Sequence, residues 1–198
     1  WKKFFFPPRS EVLSLQCSQE KPRQWVLNGK HSKRKMYALI GVRPCELAAI
    51  QIQDKVFLRD DLRDPIYRAA RQGAFIISVN CLHTCHTCFC TSMGGGPECT
   101  SGFDLNLTEL DDVFLIKVGS EAGCMALANQ DWQPASAFLL NQARLGLEEA
   151  AQDITRSIPD YKQLPGILLN DFDNDHYESV AKRCLSCANC TQVCPTCF

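Results

Sequence analysis

Four cysteines near the carboxyl end of this 198-residue chain have the spacing of an iron–sulfur ligand run. They are Cys184, Cys187, Cys190 and Cys194, and with the next residue they read Cys-x2-Cys-x2-Cys-x3-Cys-Pro. Runs of this spacing hold 4Fe–4S clusters through their thiolates, and the fourth cysteine ligates the second cluster of a two-cluster module. Only four residues follow Cys194, so the second run of such a module is missing and we expect the chain to be a fragment. The chemistry predicted here is one-electron transfer.

A second group of cysteines, in the first half of the chain, has the pattern of a site built at strand ends. Cys81 directly follows a predicted buried strand, Cys45 lies in the first turn of a predicted helix, and Cys88 and Cys90 follow in a loop. If the two strands are neighbours, these four sulfur atoms can share one upstream 4Fe–4S cluster at the edge of the sheet. The helix dipole favours negative charge at Cys45, and we expect the glycine-rich loop at residues 94–96 to donate N–H bonds to sulfur.

A tetrahedral zinc site is the alternative for this upstream group, with His83 or His86 as a further ligand. Zinc sites commonly contain two Cys-x2-Cys pairs, or one such pair with two histidines, whereas here Cys85 and Cys88 form a single pair. The sequence therefore favours an iron–sulfur cluster, and both histidines are expected to be ordinary loop side chains. A zinc-stabilised binding module without redox activity stays open as the alternative function.

Five of the 13 cysteines lie outside these two ligand groups. Cys17 and Cys124 stand alone and are predicted to be small buried side chains. Cys85, Cys99 and Cys197 stay ambiguous, and we do not expect them to be primary ligands. Dense clustering and an odd total favour metal ligation over disulfide pairing, which indicates a reducing, cytoplasmic environment.

The overall composition is typical of a soluble protein. Hydrophobic residues make up 45% of the chain, charged residues make up 22%, and the formal net charge is -1. Because this balance gives no broad basic surface, we expect no nucleic-acid partner. The short basic run at residues 30–35 is interpreted as a solvated loop or hairpin tip. No apolar stretch has the length needed to span a bilayer, so no membrane span is expected.

Hydrophobic patterns predict the elements that position the upstream cysteines. Residues 36–42 and 74–80 are nearly continuous apolar runs, which are typical of buried strands in a parallel sheet. A helix is predicted to begin at Pro44, and a second helix has Asp64 as its N-cap and Gly73 just past its end. The predicted apolar face of the first helix contains Leu47, Ala48, Ile50 and Ile52.

The second half of the chain adds a predicted strand at residues 113–118 and a helix at 135–154. A short helix at 177–183 is expected to deliver Cys184. The order of strands and helices predicts an α/β domain with a mainly parallel sheet, followed by the first half of a helical dicluster ferredoxin module. The predicted boundaries are 1–158 for the α/β domain, 159–175 for a linker, and 176–198 for the truncated 4Fe–4S module.

Several motifs in a fixed order resemble one protein family across most of the chain. They are KKFFFPP (2–8), GVRPCEL (41–47), NC (80–81), TCFCTSMG (87–94), GFDL (102–105), RCLSC (183–187) and CPTCF (194–198). Together they resemble the iron–sulfur beta subunit of cytosolic sulfhydrogenases, whose family also contains an iron–sulfur component of anaerobic sulfite reductase. Cys85 falls where no family cysteine is expected, which leaves the ligand set of the upstream group open.

The resemblance implies a soluble subunit with one upstream 4Fe–4S cluster and up to two clusters in the complete ferredoxin module. Such a subunit relays electrons between a flavin- and NAD(P)-binding partner and a catalytic nickel–iron hydrogenase or siroheme sulfite reductase subunit. This favours a non-catalytic electron-transfer subunit over an enzyme that acts by itself on a disulfide or sulfur substrate. By position, the matching cluster ligands are Cys45, Cys81, Cys88, Cys90, Cys184, Cys187, Cys190 and Cys194.

Overall fold

The computed structural model describes residues 1–11, 13–17, 25–29 and 36–197, and this part of the chain is a mixed α/β structure. Its strands are β1 (Leu13–Cys17), β2 (Trp25–Gly29), β3 (Tyr37–Val42), β4 (Ala74–Val79), β5 (Leu105–Glu109) and β6 (Phe114–Val118). Its helices are α1 (Lys2–Phe5), α2 (Pro44–Phe57), α3 (Pro65–Gln72), α4 (Glu121–Leu127), α5 (Ala137–Gln152), α6 (Leu164–Leu169), α7 (Asp175–Lys182) and α8 (Asn189–Val193). A 3-10 turn spans Cys90–Met93.

A four-stranded sheet with the order β3-β4-β5-β6 positions the upstream cysteines. β4 runs parallel to both β3 and β5, whereas β5 and β6 are antiparallel. Val42 lies opposite Ser78, and Val79 lies opposite Leu107. The carboxyl ends of β3, β4 and β5 therefore lie at one edge of the sheet. β1 and β2 form a separate antiparallel pair.

The hydrophobic core fixes α1, α2 and α3 against the sheet. Its buried members are Phe5, Leu39, Val42, Leu47, Ile50, Tyr67, Ile76, Cys99 and Phe103. Phe5 is fully buried, and its ring meets Tyr67 edge-on with 6.1 Å between the centroids. Arg71 lies over the Phe5 ring and forms a half-buried ion pair with Asp54 at 3.1 Å. The amino-terminal helix is thus held by the same core that positions α2.

The predicted elements around the site are confirmed with small shifts at their ends. β3, β4 and β6 lie within the three predicted apolar runs, and α2 begins at Pro44 as predicted. The Asp64 carboxylate accepts hydrogen bonds from two backbone N–H groups of α3, and this helix ends before Gly73. α5 lies within the predicted helix at 135–154.

The predicted apolar face of α2 is partly wrong, because Ala48 and Ile52 are exposed. The buried stripe contains Ala49 and Gln53 together with Leu47 and Ile50. The reason is that α2 packs against the carboxyl-terminal segment as well as against the sheet. Gln53 contacts that segment, so the buried side of the helix includes this position.

Several described elements have no counterpart in the predictions. They are β1, β2, β5, α1, α4, α6 and α8. α6 lies inside the stretch predicted to be a linker, and the basic run at residues 30–35 lies outside the described residues. Within the described ranges, no helix combines the length and the apolar character that crossing a membrane requires.

Candidate metal centre

Parallel pairing brings Cys45 and Cys81 to the same edge of the sheet. Cys45 lies in the first turn of α2, directly beyond the end of β3, and Cys81 lies directly beyond the end of β4. The first turn of α2 is closed by Glu46, whose carboxylate accepts a hydrogen bond of 2.9 Å from the backbone N–H of Arg43. The backbone N–H of Cys81 donates to the Pro97 carbonyl at 2.9 Å, which joins the strand end to the far side of the cysteine loop.

The loop after Cys81 carries the remaining upstream cysteines in a tight turn. The Cys88 backbone N–H donates to the Cys85 carbonyl at 2.8 Å, and the two sulfur atoms are 3.3 Å apart. Cys90 begins the 3-10 turn that follows. Hydrogen bonds from Thr87 and then Cys88 lower the pKa of the exposed Cys85 thiol to about 7. The two histidines of this loop are exposed.

The thiols of the upstream group lie within electrostatic range of one another. Burial raises the pKa of Cys45, and the negative charges of Glu46 and Cys90 raise it further. These effects outweigh the backbone N–H groups at the start of α2, which lower it. Burial and the charge of Cys45 also raise the pKa of Cys81, with smaller contributions from Cys90 and Cys88. Joint ionisation of Cys45 and Cys81 is therefore favoured by added positive charge.

The thiol donor set at this edge of the sheet is compatible with an iron–sulfur cluster. Burial dominates the raised pKa of Cys81, and the Arg43 guanidinium opposes it. Among the described residues, no three cysteine, histidine, aspartate or glutamate side chains are grouped closely enough to hold one metal ion. Zn–S bonds of about 2.3 Å place the sulfur atoms of a tetrahedral site only about 3.8 Å apart. A cluster of several irons spreads its thiolates farther, and the four-thiol donor set suits it chemically.

Asn80 organises the end of β4 through a buried network that was not predicted from the sequence. Its side-chain oxygen accepts hydrogen bonds from the Cys99 backbone N–H at 2.8 Å and from the Asn106 amide at 3.1 Å. Its amide nitrogen donates to the Thr108 hydroxyl at 2.8 Å, and the Asn106 amide also donates to the Ser78 hydroxyl. Polar residues that alternate within two otherwise apolar strands are the pattern from which this network could have been predicted.

The glycine-rich loop supports the site differently from the prediction. The N–H groups of Gly94 and Gly95 donate to the carbonyls of Thr91 and Cys90, at 3.3 and 3.0 Å. They were predicted to donate to sulfur atoms instead. Gly94 has φ 73, a left-handed conformation that ends the 3-10 turn. These two glycines thus close the backbone of the cysteine loop on itself, because the turn geometry uses their N–H groups.

The cysteines outside the two ligand groups lie in different environments. The prediction that Cys17 and Cys124 are buried is wrong, because both are exposed. Cys17 lies on the separate two-stranded pair, and α4 turns its neighbour Gly123 inward instead of Cys124. Cys99 is only 2% exposed, and burial raises its pKa to about 11. Cys99 is therefore a packed, protonated core residue.

The carboxyl-terminal cysteine run lies on the surface between α7 and the end of the chain. Cys184, Cys187 and Cys190 are exposed, and Cys194 is half-buried. The backbone N–H of Ser186 donates to the Cys184 sulfur at 3.3 Å. The loop passes through the left-handed region at two non-glycine residues, with φ 51 and 58. Tight turns of this kind direct N–H groups toward sulfur, which is how protein loops stabilise cluster ligands.

An open cleft of about 920 Å³ borders the upstream group. Its wall includes Arg43, Asn80 and Cys81 on one side and the α5 residues Leu145 and Glu149 on the other. Of the upstream cysteines, Cys81 therefore lies at a surface depression and is not sealed in the core.

The fold and the site define a cysteine-rich α/β protein with a candidate multi-thiolate centre at the carboxyl edge of its sheet. The chain is 34% identical over 198 residues to Sulfhydrogenase 2 subunit beta of Pyrococcus furiosus, a match that covers 99% of this chain and 56% of that protein. This identity supports a relation of the chain to that protein's family, and the chain spans about half the length of this curated relative. No protein-family model and no solved structure matches the chain.

Proposed function

We propose that this chain is the electron-transfer part of a subunit in a cytoplasmic hydrogenase complex. The observation that carries the proposal is the placement of Cys45 and Cys81 at one sheet edge, within electrostatic range of Cys90, where burial and these neighbouring thiols raise the pKa of both Cys45 and Cys81. The relation to a sulfhydrogenase beta subunit supports the hydrogenase context. The protein is then a relay component, and its catalytic chemistry belongs to a partner.

The proposed role of these four cysteines is to hold one upstream 4Fe–4S cluster. When bound, such a cluster supplies reversible storage of a single electron at a potential that its surroundings set. Arg43 places a positive charge beside Cys81, which favours the thiolate form. The backbone N–H groups at the start of α2 act in the same direction on Cys45. The adjacent cleft leaves this edge accessible to a redox partner.

The proposed role of Cys184, Cys187, Cys190 and Cys194 is to supply the first ligands of a ferredoxin-type module that begins near residue 176. The complete module would hold up to two further clusters. The proposed partners are a flavin- and NAD(P)-binding subunit on one side and a catalytic subunit on the other. The name of the relative favours a hydrogenase as the catalytic partner, and a sulfite reductase is the alternative from the motif resemblance.

The test is anaerobic purification of the protein with iron analysis, visible absorption and electron paramagnetic resonance (EPR). We expect a brown protein whose EPR signal appears on reduction. Cys81→Ser should remove the iron and the signal of the upstream cluster, because it deletes a ligand. Cys124→Ser is the matched control, since Cys124 is an exposed cysteine outside both groups, and it should leave iron content unchanged.

A colourless protein that contains zinc would refute the relay and establish the zinc-stabilised binding module. Reduction of a disulfide or sulfur compound by the isolated protein with an artificial electron donor would instead favour an enzyme in its own right. The same assay should show no turnover if the chain is a relay, because electrons would have no catalytic subunit to reach.

A further inference from the structure

Helix α2 connects the two cysteine groups of the chain. Its first turn carries Cys45, and Gln53 lies eight residues farther on, roughly 12 Å along the helix axis at 1.5 Å per residue. Gln53 is fully buried, and its side-chain amide donates a hydrogen bond of 2.6 Å to the carbonyl of Pro195. Pro195 directly follows Cys194, so one helix contacts both candidate cluster sites.

The Pro195 carbonyl shares a peptide group with the N–H of Thr196. In a planar trans peptide the carbonyl and the N–H point in opposite directions, so holding one fixes the other. The hydroxyl of Thr196 is hydrogen-bonded to the sulfur of Cys194, with 3.5 Å between the oxygen and the sulfur. Gln53 therefore fixes the peptide that carries a side chain in contact with a candidate cluster ligand.

A second side chain of the α/β domain holds the same segment. The Lys2 ammonium donates to the carbonyls of Thr191 and Cys194, at 2.7 Å each. Lys2 is positioned by α1, which Phe5 anchors in the core. The carboxyl-terminal run is thus docked on the α/β domain at three carbonyls, and Gln53 makes the buried contact among them.

The chemistry of Gln53 indicates a positional role. Its side-chain oxygen is buried and has no hydrogen-bond partner among the described residues. An unpaired buried oxygen carries a free-energy cost that an apolar side chain of similar size would avoid. The amide at this position is therefore explained by the hydrogen bond that it donates and not by packing.

We propose that Gln53 is a positioning residue: it holds the Pro195–Thr196 peptide so that the Thr196 hydroxyl donates to the Cys194 sulfur, and so raises the reduction potential of the carboxyl-terminal cluster. The inference rests on the proposed function, because it needs a cluster bound by Cys194. Hydrogen bonds to ligand sulfur stabilise the more negative, reduced form of a cluster, and their loss lowers its potential.

The test is a potentiometric EPR titration of the complete protein in its complex, with clusters loaded, for the wild type and two variants. Gln53→Leu removes the donor, and Gln53→Met is a second, flexible replacement should leucine disturb folding. Gln51→Leu is the matched control, because Gln51 is an exposed glutamine on the same helix. Hydrogen exchange of residues 189–197 is the second readout.

We expect both Gln53 variants to lower the potential of the carboxyl-terminal cluster, to leave the upstream potential unchanged, and to speed amide exchange within residues 189–197. The Gln51 control should match the wild type. Loaded clusters with unchanged potentials in the Gln53 variants would overturn this inference alone. Equal shifts in the Gln51 and Gln53 variants would also overturn it. A wild-type complex without any cluster on the carboxyl-terminal cysteines would overturn it together with the proposed function.

Discussion

Replacement of Asn80 by alanine tests whether the buried polar network holds the upstream cysteine loop. The Asn80 side chain is 7% exposed and makes three hydrogen bonds, to Cys99, Asn106 and Thr108. Asn80→Ala removes all three. The backbone N–H of Cys99 is then left without its partner, whereas the Asn106 amide keeps one of its two bonds, to Ser78.

The expected loss of stability follows from these bonds. An orphaned buried N–H costs about 1–3 kcal/mol, and the lost bond to Thr108 adds about 0.5–1.5 kcal/mol. The sum, about 1.5–4.5 kcal/mol, is a large part of the total stability of a typical domain but leaves the chain folded. Because Cys81 directly follows Asn80, we also expect the upstream cluster to lose occupancy.

The assay is urea unfolding under anaerobic, reducing conditions, followed by circular dichroism. With a slope of about 2 kcal/mol per molar urea, a loss of about 3 kcal/mol lowers the midpoint by about 1.5 M. Asn129→Ala is the matched control, because Asn129 is exposed, and its midpoint should stay at the wild-type value. A midpoint for Asn80→Ala within about 0.2 M of the wild type, less than about 0.5 kcal/mol, would refute the structural role of the network.

Three further predictions concern other parts of the chain. In the metal-free protein, alkylation of Cys85 should reach its maximal rate near pH 8, because the pKa of this thiol is lowered to about 7. Cys99 is buried and its pKa is raised, so it should react only after unfolding. Equal alkylation rates at the two cysteines would contradict this. Gly123→Ala should destabilise the protein by about 2 kcal/mol or more, because a β-carbon would overlap a backbone carbonyl oxygen, while Gly166→Ala, with open space, should not. Lys2→Met should speed hydrogen exchange of the last helix about fivefold, which corresponds to a loss of about 1 kcal/mol. Unchanged exchange would show that the two hydrogen bonds of Lys2 do not stabilise this segment.

The sequence predicts the elements whose patterns are local and continuous. The apolar runs of β3 and β4 and the Asp64 cap of α3 belong to this kind, because strand burial and helix capping depend on neighbouring residues. The positions of Cys45 and Cys81 at one edge follow once parallel pairing is assumed, and the structure has that pairing.

The features that the sequence did not predict depend on contacts between distant residues. β5 alternates apolar residues with Asn106 and Thr108, which look solvent-facing until their partner Asn80 is known to be buried beside them. Cys124 looks like a core residue by type, yet close approach of α4 to the sheet requires Gly123 at the contact and leaves its neighbour outside. The burial of Gln53 depends on the docking of a segment more than 140 residues away.

The most direct test of the central claim is iron content and EPR of a variant that lacks the carboxyl-terminal cysteine run. In it, Cys184, Cys187, Cys190 and Cys194 are replaced by serine, and the protein is loaded with iron and sulfide. We predict about four irons per chain and a signal on reduction, both lost when Cys45→Ser is added. Absence of bound iron in the first variant, or equal iron after Cys45→Ser, would contradict an upstream cluster at the edge of the sheet.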